Sequence, residues 1–221
     1  MGTKGTREEL DKELTMLMHD IEVMGRLVST SIITSVKALL SGERELAQQV
    51  IKGDDNIDLM QIMIEDKCIL LIALQQPLAK DLRVLTTALK IVTDLERIGD
   101  YAENIARLSV KKIKDYDMTD KYAAFEEMAK EVAYMLENSI NAYVNVDIKK
   151  AEEIHQHDDV VDAYCKSLHN DILKQIQENA ENVDLLTGIL AILHYLERAG
   201  DHVTNISEWV VYLSTGKRYR V

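Results

Sequence analysis

The segment Leu95-Glu96-Arg97-Ile98-Gly99-Asp100 recurs as Leu196-Glu197-Arg198-Ala199-Gly200-Asp201, displaced by 101 residues in a chain of 221. At the same displacement Thr86 and Leu89 match Thr187 and Leu190, and Asn104-Ile105 matches Asn205-Ile206. Earlier in each half, Asp54-Asp55-Asn56-Ile57-Asp58 matches Asp158-Asp159-Val160-Val161-Asp162 at a displacement of 104. Two spaced motifs in the same order mark a tandem duplication, so the chain must fold as two copies of one unit. The three-residue difference falls between the two motifs, in the connection that separates them.

That unit reads as helical throughout. Leu10, Leu14, Leu17, Ile21, Met24, Val28, Ile32 and Val36 step by threes and fours, the spacing of one buried helix face. Ser41-Gly42 supplies a stop and restart, with Ser41 expected as an N-cap. Further runs are expected near 43–75, from Pro77 to about 113, and near 120–145, 147–179 and 183–214. A single proline, nine glycines and 5% aromatic residues cannot punctuate a sheet protein, which needs turns every eight to twelve residues. The expected fold is therefore all-α, two tandem pseudo-symmetric three-helix bundles built from six long helices. Residues 1–114 form the first repeat and 119–221 the second. The segment Lys114-Asp115-Tyr116-Asp117-Met118-Thr119 loses the apolar period, so 115–118 reads as the linker and Thr119 as a cap.

Four pairs of carboxylates stand at i and i+4: Asp54/Asp58, Glu96/Asp100, Asp158/Asp162 and Glu197/Asp201. On a helix this spacing places both side chains on one face, where like charges repel by roughly 0.2–0.5 kcal/mol. A sequence selected for stability alone would put a base at one of the two positions. Repeating the unfavourable choice at equivalent places in both halves points to a bound cation, because carboxylate oxygens are the preferred ligands of hard ions. The stripe Leu85, Leu89, Val92 runs on into Glu96, Asp100 and Glu103, while Leu186, Leu190 and Leu193 lead into Glu197, Asp201 and Glu208. One face of each helix thus turns from apolar to acidic. Gly99 and Gly200 each cost about 1 kcal/mol in mid-helix, and they read as points of close approach by a neighbouring helix or a ligand.

His194, His155 and His157 lie near the second-half acids and would admit zinc or iron if they were ligands, but a satisfied or surface role is the simpler expectation. Their counterparts in the first half are not shared: Thr93 stands for His194 and Gly53 for His157. Arg97 and Arg198 are expected to form salt bridges with adjacent acids. Cys68 and Cys165 constitute neither a disulfide framework nor a zinc site. The net charge of −12 divides as −5 over residues 1–110 and −7 over 111–221, with no basic cluster, so nucleic-acid binding is excluded as a function class. Met1 to Glu13 lacks the apolar core of a secretory leader, and no apolar run is expected to reach the ~18–20 residues needed for a bilayer. Neither a phosphate-cradling glycine loop nor a nucleophile elbow is present. Only Glu152-Glu153-Ile154-His155 fits the Glu-x-x-His element of di-iron bundles, and it has no first-half counterpart. No catalytic site is expected.

The duplicated Glu-Arg-x-Gly-Asp element, with Gln76-Pro77-Leu78-Ala79-Lys80-Asp81-Leu82-Arg83 leading into Asp94 to Ile105, resembles the PhoU family of phosphate-specific transport system accessory proteins. The resemblance spans about residues 8–215. It departs only where Glu181-Asn182-Val183-Asp184 replaces the proline-containing lead-in. It implies a cytoplasmic negative regulator of phosphate uptake and of phosphate-starvation signalling. Such a regulator acts by contact between the ATPase of a phosphate ABC transporter and a sensor histidine kinase, touches the membrane only through those partners, and is compatible with a homodimer. The family's Glu/Asp-x-x-x-Asp motifs hold multinuclear metal, iron or zinc in some members and magnesium or manganese in others. They match Asp54, Asp58, Glu96, Asp100, Asp158, Asp162, Glu197 and Asp201. The competing readings are a carboxylate-ligated metal bundle with an enzymatic or storage role, and a helical adaptor without metal.

Overall fold

The structure, a computed structural model, describes residues 3–113, 122–178 and 180–217. Six α-helices follow in order: α1 (Thr3–Ser41), α2 (Arg44–Gln75), α3 (Ala79–Leu108), α4 (Ala123–Asn145), α5 (Ile148–Glu178) and α6 (Val183–Thr215). No strand occurs among the described residues. The segment 115–118 expected as a linker, and Thr119 expected as a cap, lie outside the described residues.

The breaks between helices have local causes. α1 runs through Ser41, so this serine is the last helical residue and not the expected N-cap. Gly42 takes φ +70°, a left-handed conformation that costs glycine nothing, and its N–H reaches the Ala38 carbonyl at 3.0 Å. The Ser41 hydroxyl instead accepts the backbone N–H of Glu43 at 3.3 Å. α2 ends on Gln76 in the left-handed region (φ 46°), and Pro77 occupies the turn just before α3. Asp81 then secures the start of α3, because its carboxylate accepts the Leu78 N–H at 3.1 Å and two bonds from Arg7, at 2.6 and 3.0 Å. α3 widens into a single π-turn at Ser109–Ile113. The second-half counterpart of the proline turn is a 3₁₀ turn, Ala180–Asn182.

α1, α2 and α3 pack on one another, as do α4, α5 and α6; the two bundles meet through α1 on α4 and α3 on α6. The eight apolar residues stepping along α1 are all buried, five of them completely. Each contributes roughly 1.5–3 kcal/mol of burial free energy. By length and composition Arg7–Ser41 is apolar enough to cross a membrane, contrary to the expectation from sequence. Its apolarity is explained by position: α1 touches both bundles and half of the window is buried inside the protein.

The duplication is visible where α3 meets α6. His202 Nδ1 lies 2.8 Å from the Asp94 carboxylate, and the rings of Tyr101 and Tyr195 stack with centroids 5.8 Å apart. The 101-residue displacement carries Asp94 onto Tyr195 and Tyr101 onto His202. The two contacts are therefore the same contact repeated about a pseudo-twofold axis, made polar on one side and aromatic on the other.

Candidate metal centre

The four carboxylate pairs fall on two seams, one between α2 and α3 and one between α5 and α6. In the first seam Asp54 and Asp58 of α2 face Glu96, Asp100 and Glu103 of α3. Gly99 is what lets the helices approach: a Cβ there would sit 3.2 Å from Asp54 Oδ1 and 3.2 Å from two carbons of Ile57. Gly200 does the same in the second seam, with Asp158 Oδ1 at 3.3 Å and Val161 Cγ1 at 3.4 Å. The close approach expected at these glycines is thus a helix contact, and the atom that fills the missing side chain is in each case a carboxylate oxygen.

Burial, with the crowding of like charges second, leaves a clear electrostatic signature. Asp54 is only 8% exposed, and its carboxyl is pushed up to about 7, first by burial and then by Glu103, Asp58, Asp100 and Glu96. Asp158 is pushed up to about 6, again by burial and then by Asp162, Asp201 and Asp159. Asp58, Glu96 and Asp201 are raised from their ordinary values, and burial is the largest cause for each. Arg97 relieves part of the first seam, pairing with Asp100 at 3.0 Å and Glu96 at 3.6 Å as expected. Arg198 behaves differently, because its Nε donates to His194 Nε2 at 3.1 Å.

All eight residues expected from sequence therefore lie on the two seams. As the side chains stand, no three histidine, cysteine or acidic groups among the described residues converge on one point that could hold an ion. The carboxylates form rows along the seams, and a cation would be held by drawing neighbouring members of a row together. The donor chemistry suits one: the first seam offers oxygen alone, the preference of hard ions. Neither His155 nor His157 joins the row through a hydrogen bond among the described residues; His157 instead pairs with Glu131 of α4. His194 Nδ1 lies 2.9 Å from Glu197, so it borders the second seam as anticipated.

Two members were not singled out as ligands from sequence. Glu103 lies one turn beyond Asp100, raises Asp54 and is held by Arg107. Its place on the Glu96–Asp100 stripe was the available signal. Cys165 hydrogen-bonds to Glu197, and burial pushes its thiol up to about 12. With Asp162, His169, His194 and Glu197 it lines an open cavity of about 510 Å³. The first-half counterparts of Cys165 and His169 are Gln61 and Glu65, which bond to each other at 3.2 Å. Nothing in the periodicity of α5 alone distinguished this cysteine from a core thiol such as Cys68.

Comparison with known proteins agrees with this architecture. The PhoU domain model matches twice, over residues 21–109 and 125–210. A phosphate-specific transport system accessory protein PhoU homolog of Clostridium acetobutylicum is 39% identical over 214 residues, covering 96% of this chain and 97% of that protein. Its Pseudomonas aeruginosa counterpart is 32% identical over 213 residues, covering 96% and 88%. Among solved structures, the crystal structure of PhoU from Pseudomonas aeruginosa superposes with a TM-score of 0.88 over 94% of this chain and 99% of that one, at 32% identity. The phosphate transport system regulatory protein PhoU from Streptococcus pneumoniae gives 0.87 over 96% and 100%, at 30% identity. These relatives carry the names of accessory and regulatory proteins, not of enzymes. A chain matched twice by the same domain model, and superposing on those crystal structures over nearly its whole length, belongs to the PhoU family.

Proposed function

We propose that this chain is a cytoplasmic negative regulator of phosphate uptake and of phosphate-starvation signalling, working by contact with the ATPase of a phosphate ABC transporter and with a sensor histidine kinase. The observation that carries the reading is the pair of pseudo-equivalent carboxylate seams in a chain whose relatives are named phosphate-transport accessory proteins. The carboxyls raised by burial, and then by like-charge neighbours, give each seam a reason to take up cations. In the first seam Asp54, Asp58, Glu96 and Asp100 would hold a hard ion, magnesium, manganese or ferric iron, with Glu103 at the end of the row. In the second, Asp158, Asp162, Glu197 and Asp201 adjoin Cys165 and His194, a mixed set that also suits zinc or ferrous iron. Several ions in one row give a multinuclear site. A bound cation supplies charge neutralisation, turning a repelling acidic strip into a docking surface for a partner whose own face is acidic or neutral.

The test combines elemental analysis with binding. Purified protein is compared with a variant carrying Glu96→Ala, Asp100→Ala, Glu197→Ala and Asp201→Ala. Wild type is expected to hold several equivalents of metal and to bind the ATPase less tightly after chelation. The variant is expected to hold little metal and to bind weakly with or without chelator. Loss of metal with unchanged affinity for the ATPase would refute metal-dependent contact. Turnover of a phosphate ester or a redox substrate by the loaded protein would instead favour an enzymatic carboxylate bundle.

A further inference from the structure

The outward face of α2 carries a long apolar stripe. Leu59, Ile62, Met63, Ile69, Leu70 and Leu74 are between 54% and 74% exposed, and they recur at helical spacing over about four turns. α2 packs on α1 and α3 through the opposite side, where Ile57, Ile64, Cys68 and Leu71 are buried. The stripe is thus extra to what folding requires.

The duplication provides an internal control. The 104-residue displacement carries these six positions onto Ala163, Lys166, Ser167, Leu173, Lys174 and Glu178 of α5, while buried Ile64 and Cys68 fall on buried Leu168 and Ile172. The same fold position, equally free of neighbours, is mostly polar in one half and aliphatic in the other. Solvation of an edge helix therefore does not explain the first-half stripe. Six large apolar side chains, each more than half exposed along one helix face, form a contiguous patch of the kind that marks an interaction site.

At the middle of this stripe stands Asp66, exposed, with Ile62, Met63, Ile69 and Leu70 at its i−4, i−3, i+3 and i+4 positions. The charge decides among occupants. A second copy of the chain that overlaps the whole stripe about a twofold axis, parallel or antiparallel, brings one Asp66 against the other in a desolvated interface. Like-charge juxtaposition of that kind is selected against. A further acid, exposed Asp55, lies on the same face and does not favour an anionic membrane surface. The geometry points to a partner protein's amphipathic helix that lays an aliphatic stripe along α2 and presents an arginine or lysine to Asp66 at its centre. A salt bridge desolvated at the middle of an apolar contact fixes register as well as partner identity.

Three synthetic amphipathic helices with the same leucine stripe, differing only in arginine, leucine or glutamate at the centre, provide the probe. Their binding to the full chain is read by fluorescence anisotropy, with sedimentation run in parallel. Wild type is expected to bind the arginine peptide at least tenfold more tightly than the glutamate peptide, Asp66→Lys to reverse that order, and Leu70→Glu to lose all three. Lys174→Glu, at the pseudo-equivalent site, leaves binding unchanged. The proposal is overturned by absence of binding, by the same order in wild type and Asp66→Lys, or by loss of binding in Lys174→Glu as readily as in Leu70→Glu. Two further results overturn it in favour of another occupant: a dimer that Leu70→Glu dissolves, or Leu70-dependent binding to phosphatidylcholine–phosphatidylglycerol vesicles. No component of a phosphate transporter enters this assay, so its failure leaves the regulatory reading untouched, and failure of the metal test leaves this one standing.

Discussion

Replacing Asp54 by asparagine in chelated protein should raise stability, and by an amount that depends on pH in a defined way. The side chain is nearly isosteric, so its fit over Gly99, which has no Cβ to meet it, is preserved. What changes is the charge. The carboxyl titrates near 7 in the folded chain against an ordinary value of 3.8. A displacement of that size would correspond to about 4 kcal/mol against the folded state at full strength once both states are ionised, and to on the order of 2 kcal/mol after screening by the water that reaches the seam. The sign follows from proton binding: between 3.8 and about 7 the folded state holds the proton that the unfolded state has lost, so stability falls as pH rises through that window. At pH 8 the whole penalty is present, at pH 5.5 about half of it, and below the ordinary value none. With roughly 2–4 °C per kcal/mol for a chain of this size, Asp54→Asn should melt on the order of 4–8 °C above wild type at pH 8 in chelator. The gap should narrow steadily towards pH 4. Differential scanning calorimetry across pH 4–8 measures it. A gap that is absent at pH 8, or that widens as pH falls, refutes the account of Asp54 as a buried carboxylate held among like charges.

The glycines offer a paired test. Gly99→Ala gains about 1 kcal/mol of helix propensity but forces its Cβ against Ile57 and the Asp54 carboxylate, and a net loss on the order of 1 kcal/mol is expected in urea titration. Gly200→Ala meets a looser contact at 3.3–3.4 Å and should be close to neutral; equal effects at both sites would contradict the geometry. Arg7→Ala strands the buried Asp81 carboxylate, whose pKa is held down chiefly by the Arg7 hydrogen bond. The melting temperature should drop at pH 7, and the difference should disappear as pH falls through the folded-state pKa of Asp81, since the stabilisation of a depressed acid is lost on protonation. Removing metal from wild type should lower its melting temperature more at pH 8 than at pH 5, because protons compete with cations for the same oxygens. An equal drop at both pH values would argue against carboxylate ligation.

Much of this molecule was legible in the chain because its determinants are local. The i, i+3, i+4 run from Leu10 to Val36 sets the buried face of α1, a single proline and Gly42 mark breaks, and the repeated acidic pairs mark the site in both halves. The periodicity of a helix reports which of its faces is buried but carries no information about which neighbour covers it. Tertiary packing alone decided that Asp54 lies over Gly99 and Asp158 over Gly200, that Glu103 completes the first row, and that Cys165 meets Glu197. It also decided that His157 turns to Glu131 and that Asp94 and Tyr101 find His202 and Tyr195 across the pseudo-twofold axis. The raised carboxyls belong to that second class: repulsion along one helix is a matter of tenths of a kcal/mol, and only bringing two acidic helices into contact, with water excluded, multiplies it.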